Sequence, residues 1–169
     1  MSRARIAALV LVNWKGVFYE RYLLDHHVTA LEGANGAGKT TVMIAAYVVL
    51  LPDMSKLRFT NLGETSAIGG DRGIWGRLGE PGRPSYAVLD LELPEGERLV
   101  AGVRLIRASE PTVEPAAFAI TGLAPEVRLS DVLLVRRLDG DHVPELDEVT
   151  AAVARAGGRL EVFRTIKEY

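Results

Sequence analysis

Residues Gly33-Ala34-Asn35-Gly36-Ala37-Gly38-Lys39-Thr40 decide how this chain is interpreted, because they match the pattern G-x-x-x-x-G-K-[ST] at every fixed position. The pattern predicts a loop whose backbone N–H groups surround a polyphosphate, and its glycines let the backbone approach the phosphates closely. Lys39 would reach the β- and γ-phosphates, and the Thr40 hydroxyl would bind Mg²⁺. We call residues 33–40 the phosphate-binding loop and expect ATP with Mg²⁺ as its ligand.

The flanking residues agree with this interpretation. Residues 27–32 are rich in residues that favour strands, and residues 41–51 are apolar nearly all round and end before Pro52. These features predict a strand, then the loop, then a buried helix that stops at the proline. A glycine-rich turn that matches by accident would not need this order of elements.

Bulk properties are those of an ordinary globular domain. The chain has 169 residues, 48% hydrophobic and 25% charged residues, a net charge of −2 and no cysteine. One domain with a proper core is expected, disulfides and thiolate chemistry are excluded, and the net charge gives no indication of nucleic-acid binding. The apolar run 6–12 follows two arginines, as in a signal peptide, but it is too short to span a bilayer and lacks a cleavage site. It predicts a buried first strand.

The rest of the chain divides into short periodic segments. A long irregular segment, 53–84, is expected to be functional because it still contains tryptophan and isoleucine. Pro144 and Gly157-Gly158 bracket a predicted helix at 145–156. Strands are predicted at 5–13, 19–25, 27–32, 85–93, 98–107, 116–121, 131–138 and 159–163.

Half of a hydrolytic site is missing from the sequence. An ATPase with this loop needs a further acidic group for magnesium and a group that positions water. Asp90 and Glu92 follow an apolar run, but they alternate, which is typical of a solvated strand face. The chain contains no Leu-Ser-Gly-Gly type signature and no glutamine.

Several blocks together resemble the N-terminal half-head of MukB-like SMC ATPases, most closely the MksF/JetC branch of the Wadjet plasmid-defence condensins. The likeness covers nearly the whole chain, and the blocks around the phosphate-binding loop are more specific than the loop itself. The blocks are 13–18, 33–41, 51–53, 58–61, 71–78, 103–105, 118–123 and 163–169.

This resemblance implies an α/β fold: the N-terminal lobe of an ABC/SMC-type P-loop NTPase, with a mixed sheet around a central helix and an antiparallel β subdomain. Residues 1–169 would be the N-terminal half of a head, and the coiled-coil arm would start at about 164–169. The chain is then expected to be a fragment or an excised half-head of a cytoplasmic, nucleoid-associated DNA motor. Such motors act in loop extrusion, chromosome organisation or anti-plasmid defence.

The resemblance also implies partners. These are the C-terminal half-head of the same protein, a second SMC head in a homodimer, kleisin and small winged-helix subunits, a nuclease subunit in Wadjet, and double-stranded DNA, but no membrane. ATP hydrolysis would need the C-terminal half-head and dimerisation, so the chain alone is expected to be nearly inactive.

The residues predicted to hold the nucleotide include Arg58, which occupies roughly the place where SMC heads put an arginine near nucleotide or DNA. Asp71 would join Thr40 at the metal in place of the missing glutamine. The simpler alternatives are a solvated loop arginine for Arg58, a turn residue for Asp71, and a core aromatic rather than a base-stacking platform for Trp14. The full set predicted to bind the nucleotide is Asn35, Gly36, Ala37, Gly38, Lys39, Thr40, Thr41 and Arg58.

Two other functions remain open at this stage. A small P-loop kinase would use Arg72, Arg77 and Arg83 in a lid, although strands rather than alternating strands and helices follow residue 85. A nucleotide-gated DNA-binding module without catalysis is the other alternative. In an assembled head, the basic residues of 56–83 are expected to form a surface that contacts DNA phosphates.

Overall fold

The structure, a computed structural model, describes residues 3–34, 36, 38–53, 73–110, 112–165 and 167–169. The helices are α1 (Lys39–Leu50), α2 (Ser130–Leu133) and α3 (Leu146–Arg155). The strands are β1 (Arg5–Trp14), β2 (Val17–Leu23), β3 (Ser85–Glu92), β4 (Arg98–Arg107), β5 (Val113–Thr121), β6 (Val135–Arg137), β7 (Gly140–His142) and β8 (Arg159–Val162).

Six of these strands form one sheet in the order β2-β1-β3-β4-β5-β8, and each neighbouring pair is antiparallel. Helix α1 packs on one face of the sheet, and α2 with α3 packs on the other. Strands β6 and β7 form a separate hairpin. The sheet is therefore covered on both sides, and its two faces carry two different core clusters.

The central strand β1 is apolar on both faces. Leu9 and Leu11 face α1, whereas Val10 and Val12 face α2 and α3, and all four are buried. A strand covered on both faces is expected to be a near-continuous apolar run rather than an alternating one. The prediction that residues 6–12 belong to a buried strand is confirmed.

Helix α1 forms and ends as its sequence predicts. Val42, Ile44, Ala45, Val48 and Val49 are its buried residues, and they pack against the sheet. The helix stops at Leu50, since the residue before Pro52 is disfavoured in the helical conformation and Leu51 is not helical, with φ −143° and ψ 82°.

The opposite face is covered mainly by α3, and the prediction of a helix at 145–156 is confirmed. Its first turn carries a reciprocal capping box, in which the Glu145 and Glu148 side chains each accept a hydrogen bond from the other residue's backbone N–H. Val149 and Val153 are the buried residues of this amphipathic helix. The buried Tyr86 hydroxyl of β3 donates to the Pro144 carbonyl oxygen at 2.7 Å, which joins the helix entry to the sheet.

The strand predicted at 27–32 is wrong. These residues are exposed and form no strand, because β2 occupies the edge of the sheet and no described strand lies beside 27–32 to pair with its backbone. High strand propensity alone does not form a strand, since its backbone groups need a neighbour. Strand β2 itself begins two residues earlier than predicted and ends at Leu23.

The strand predicted at 131–138 is also wrong in part. Leu129, Val132 and Leu133 are buried at a spacing of three and four residues, which suits the short helix α2 rather than a strand. Only β6 is extended, and it turns through Leu138-Asp139 into β7. Strand β5 begins three residues before the predicted 116, at Val113.

The α/β class is confirmed, in a sheet that is antiparallel throughout the described strands. The parallel pairs that would make the sheet mixed do not occur among them. The described residues of 164–169 form turns, so a coiled-coil arm that starts there stays a prediction. No described helix is both long and apolar enough to cross a membrane.

Candidate functional site

The phosphate-binding loop leads directly into α1. Gly33, Gly36 and Gly38 have φ angles of 152°, 86° and 86°, a range that residues with side chains rarely adopt. A Cβ atom at Gly36 or Gly38 would meet nothing within 4 Å, so the backbone conformation, rather than lack of space, requires glycine there. Asn35 and Ala37 lie outside the described residues.

The N-terminus of α1 has donors that its own side chains do not use. Gly38 is the N-cap residue, no side chain among the described residues caps the helix, and its first turn holds no acidic residue. The first backbone bond of the helix runs from Val42 N to Gly38 O at 3.1 Å, which leaves the N–H groups of residues 39–41 without acceptors inside the helix. Helix α3, with its capping box, is the opposite case. The start of α1 is therefore suited to an anion.

Lys39 folds back over the loop that precedes it. Its ammonium donates to the Gly33 carbonyl oxygen and to the Ala34 carbonyl oxygen, the latter at 2.8 Å. These acceptors are neutral, so phosphate oxygens could replace them with stronger, charge-assisted bonds. The positive charge of Lys39 and the positive end of α1 thus lie at the same short stretch of chain.

A buried arginine contacts the first turn of α1 from a distant part of the chain. Residues Trp75–Arg77 form one turn of 3₁₀ helix, and the Arg77 side chain donates from Nη1 to Thr41 Oγ1 at 3.0 Å. Arg77 is only 9% exposed. The sequence placed Arg77 in a kinase lid or on an exposed DNA-binding surface, and its burial contradicts the second placement.

Asn13, at the end of β1, holds the segment that carries Arg77. It is buried with a φ angle of 56°, and its side-chain oxygen accepts from Glu80 N at 2.9 Å while its amide donates to Pro84 O at 3.0 Å. Its backbone oxygen accepts from Gly79 N at 2.7 Å. Lys15 N donates to the Arg77 oxygen at 2.9 Å. The β1–β2 turn thereby fixes the position of the arginine.

Trp14 belongs to the core, as the simpler interpretation predicted. It is buried, and its indole Nε1 donates to the Tyr86 carbonyl oxygen at 2.9 Å. Next to it lies an open cleft of about 650 Å³, whose lining includes Phe18, Trp75 and Arg107. The Arg107 guanidinium lies 4.6 Å from the Trp75 ring centroid, a cation–π contact at the wall of this cleft.

Asp90 does not lie on a solvated face, and that prediction is wrong. Its side chain is 8% exposed and forms two contacts with Arg98, Nε to Oδ1 at 2.8 Å and Nη2 to Oδ2 at 2.9 Å. Arg98 also donates to the Ala124 and Val127 carbonyl oxygens. Side chains along β3 point alternately to the two faces of the sheet, so Asp90 lies on the same face as Val88, opposite α1. It is a structural residue and no candidate ligand for magnesium at the loop.

The other predicted site residues can be placed only in part. Lys56, Arg58, Asp71 and Arg72 lie outside the described residues. Arg83 is exposed and pairs with Glu80 at 3.4 Å. Within the described part of the chain, no three histidine, aspartate or glutamate side chains come together in a way that could hold a metal ion.

The sequence did not reveal the two arginine contacts described above. For Asp90 and Arg98 a signal was present, because the turn at Pro94-Glu95-Gly96 makes β3 and β4 a hairpin and places Arg98 diagonally across from Asp90. For Arg77 and Thr41, 36 residues apart, no local pattern could have shown the contact.

Comparison with known proteins relates this chain to a protein family. A family model described as MukB N-terminal matches residues 1–169. Two curated relatives, both named chromosome partition protein MukB and from Vibrio vulnificus strains YJ016 and CMCP6, are each 35% identical to this chain over 175 residues. The alignments cover 100% of this chain but only 12% of each relative.

Proposed function

This chain belongs to the MukB N-terminal family, and we propose that it is the ATP-binding N-terminal segment of an SMC-type head. One observation carries the proposal. Within the described part of the chain, the loop of three positive-φ glycines ends in a helix without a side-chain cap. It lies beside a lysine whose hydrogen bonds there go only to neutral carbonyl oxygens. Each of these features favours a bound polyphosphate.

In the proposed complex, the residues of the loop have separate tasks. The N–H groups of residues 39–41 donate to phosphate oxygens, and Lys39 exchanges the Gly33 and Ala34 carbonyl oxygens for the β- and γ-phosphates. Thr40 holds Mg²⁺ through its hydroxyl, with Asp71 as the proposed second group. The bound ion neutralises charge on the phosphates.

The surface next to the loop supports a second part of the proposal, which concerns the C-terminal half-head. Met43, Tyr47 and Leu50 are each more than half exposed and lie along one stripe of α1. Val28 and Leu31, which precede the loop, are exposed as well. We call Met43, Tyr47 and Leu50 the exposed α1 stripe. Contiguous exposed apolar residues typically mark an interaction surface, and the missing hydrolytic groups would have to come from that partner.

The biological role proposed here is DNA organisation. The curated relatives are named for chromosome partition, which supports chromosome organisation by an SMC-like, cytoplasmic complex. Loop extrusion, a second head in a homodimer, kleisin, winged-helix and nuclease subunits, and double-stranded DNA are proposed from the resemblance. Membership of the MksF/JetC defence branch stays a prediction.

The antiparallel sheet does not favour the small-kinase alternative. Such a kinase would alternate strands and helices around parallel strands, whereas β3, β4 and β5 follow one another as an antiparallel meander. Among the described residues, no specific contact supports a DNA-binding module without catalysis.

ATP hydrolysis tests the proposed division of labour. Turnover is measured for this chain alone and for the chain mixed with the C-terminal segment of its own protein, each with and without Lys39→Ala. We expect almost no turnover by the chain alone and a clear gain in the mixture that Lys39→Ala abolishes. Robust turnover by the chain alone, lost in Lys39→Ala, would show that the hydrolytic groups are already present.

A further inference from the structure

We propose that Arg77 is a positioning residue for nucleotide binding: it fixes the Thr41 hydroxyl so that its hydrogen points to a phosphate. The inference rests on the proposed binding of ATP at residues 33–40. It starts from the contact between Arg77 Nη1 and Thr41 Oγ1 at 3.0 Å, one residue beyond the loop.

The direction of this hydrogen bond is set by chemistry. A guanidinium can only donate, so the Thr41 oxygen must accept. A hydroxyl group has one hydrogen and can accept with its lone pairs, and therefore Thr41 keeps its hydrogen for another acceptor. The bond to Arg77 restricts the directions in which that hydrogen can point.

A second threonine in this chain shows the usual behaviour in a helix. Thr150 in α3 donates from Oγ1 to the Leu146 carbonyl oxygen one turn earlier, at 2.8 Å. Thr41 lies in the first turn of α1, where side chains tilt toward the helix N-terminus and so toward the phosphate-binding loop. A phosphate held by that loop would therefore lie on the side of the helix to which a threonine at this position directs its hydroxyl.

Arg77 is held rigidly enough to do this. The Lys15 N–H donates to its carbonyl oxygen at 2.9 Å, and two residues later Gly79 N donates to Asn13 O at 2.7 Å. Its side chain is buried, so the bond to Thr41 competes little with water. A group held in place before the ligand arrives loses little entropy on binding, which favours affinity.

A double-mutant cycle in MgATP affinity tests the inference on the purified protein. Thr41→Val removes the hydroxyl at constant shape, Arg77→Met removes its donor, and the double variant removes both. We expect each single variant to bind MgATP about tenfold more weakly than the wild type. The double variant should also bind about tenfold more weakly, and no more than that, because the two groups act as one unit. Thr41→Ser keeps the hydroxyl and should recover most of the affinity that Thr41→Val loses.

Arg83→Met is the matched control, because Arg83 is an exposed arginine that loses the same charge. It should bind MgATP like the wild type, and thermal unfolding without nucleotide shows whether each variant is folded. If Arg77→Met does not fold, Arg77→Leu, which also lacks a donor, replaces it, and Thr41→Val alone must still lose about tenfold.

Three results overturn the inference. They are wild-type affinity in Thr41→Val, wild-type affinity in a folded Arg77 variant, or an Arg77 effect of the same size in the Thr41→Val background. Failure of the proposed function would give a different result. The wild type would then bind no MgATP, or Lys39→Ala would bind MgATP as tightly as the wild type.

Discussion

Asp90 and Arg98 form a two-point ion pair that ties the β3–β4 hairpin to the loop before α2. Both side chains are nearly buried, and Arg21 approaches the same carboxylate at 3.9 Å. The guanidinium of Arg98 also binds two carbonyl oxygens of residues 124–127. One carboxylate thus organises the face of the sheet that lies away from the phosphate-binding loop.

Asp90→Asn should destabilise the fold without weakening nucleotide binding. The change leaves the Arg98 charge buried without its full partner, which costs about 3 kcal/mol of unfolding free energy. Urea unfolding measures the loss, and calorimetry with MgATP should give wild-type affinity. Glu92→Gln, which removes the exposed partner of Arg5, is the control and should change stability little. A loss of affinity equal to that of Lys39→Ala would place Asp90 at the magnesium.

Gly79→Ala should destabilise the fold more than Gly82→Ala. A Cβ at Gly79 would lie 2.1 Å from Asn13 Oδ1 and 2.5 Å from Asn13 O, so the anchor below Arg77 must shift. We expect a loss of about 3 kcal/mol there. Gly82 has a φ angle of 78° and open space, so its substitution should cost about 1 kcal/mol. If both variants lost the same unfolding free energy in urea, the contact between Gly79 and Asn13 would not be tight.

Tyr86→Phe should remove part of the loss of stability at high pH. Burial raises the pKa of Tyr86 well above its ordinary value of 10.0. Above pH 10 the unfolded chain therefore loses the phenol proton while the folded chain keeps it, so stability falls as the pH rises. Below pH 10 this term is constant.

The measurement is the unfolding free energy of the wild type and of Tyr86→Phe between pH 8 and pH 11. The wild type should lose more stability than the variant over the alkaline part of this range. Near pH 8 the variant should be less stable by about 1 kcal/mol, because the hydrogen bond to the Pro144 carbonyl is gone. Parallel curves throughout would contradict the burial of this hydroxyl.

Met43→Glu and Leu50→Glu should weaken association with the C-terminal half-head. Both residues belong to the exposed α1 stripe, so a charge there would be buried in the proposed interface but not in the free chain. Co-purification and analytical ultracentrifugation with that segment measure the effect. Leu138→Glu is the control, because Leu138 is fully exposed on the β6–β7 hairpin. If all three variants weakened association with the C-terminal half-head equally, the exposed α1 stripe would not be part of the interface.

Local patterns predicted much of this fold. The apolar run of β1, the proline after α1 and the cap signals of α3 each depend on neighbours in sequence, and those elements form as predicted. The strand predicted at 27–32 is wrong because a strand needs a neighbouring strand to pair with, and local sequence does not specify that neighbour. The prediction of a phosphate-binding loop rests on the same kind of local signal, since its pattern is contained in eight consecutive residues, and nucleotide binding there stays a prediction.

Contacts between residues far apart in the chain could not be predicted from the sequence. The alternation of acids in β3 predicts a solvated Asp90, but alternation describes one strand and not what covers it, and Asp90 is buried. The sequence alone predicts Arg77 in a lid or on a DNA-binding surface. Its contact with Thr41 joins two distant segments through the Asn13 anchor, and no local pattern contains that contact. Whether a charged side chain is buried depends on tertiary packing, which local patterns do not contain.

Binding of MgATP by the purified protein, measured by titration calorimetry for the wild type, Lys39→Ala and Lys15→Ala, decides whether residues 33–40 hold a nucleotide. Lys15 is an exposed lysine in the β1–β2 turn and serves as the control for charge. We predict saturable binding by the wild type and by Lys15→Ala, and a loss of at least about tenfold in affinity for Lys39→Ala. Equal binding by all three proteins, or none by the wild type, would contradict nucleotide binding at this loop.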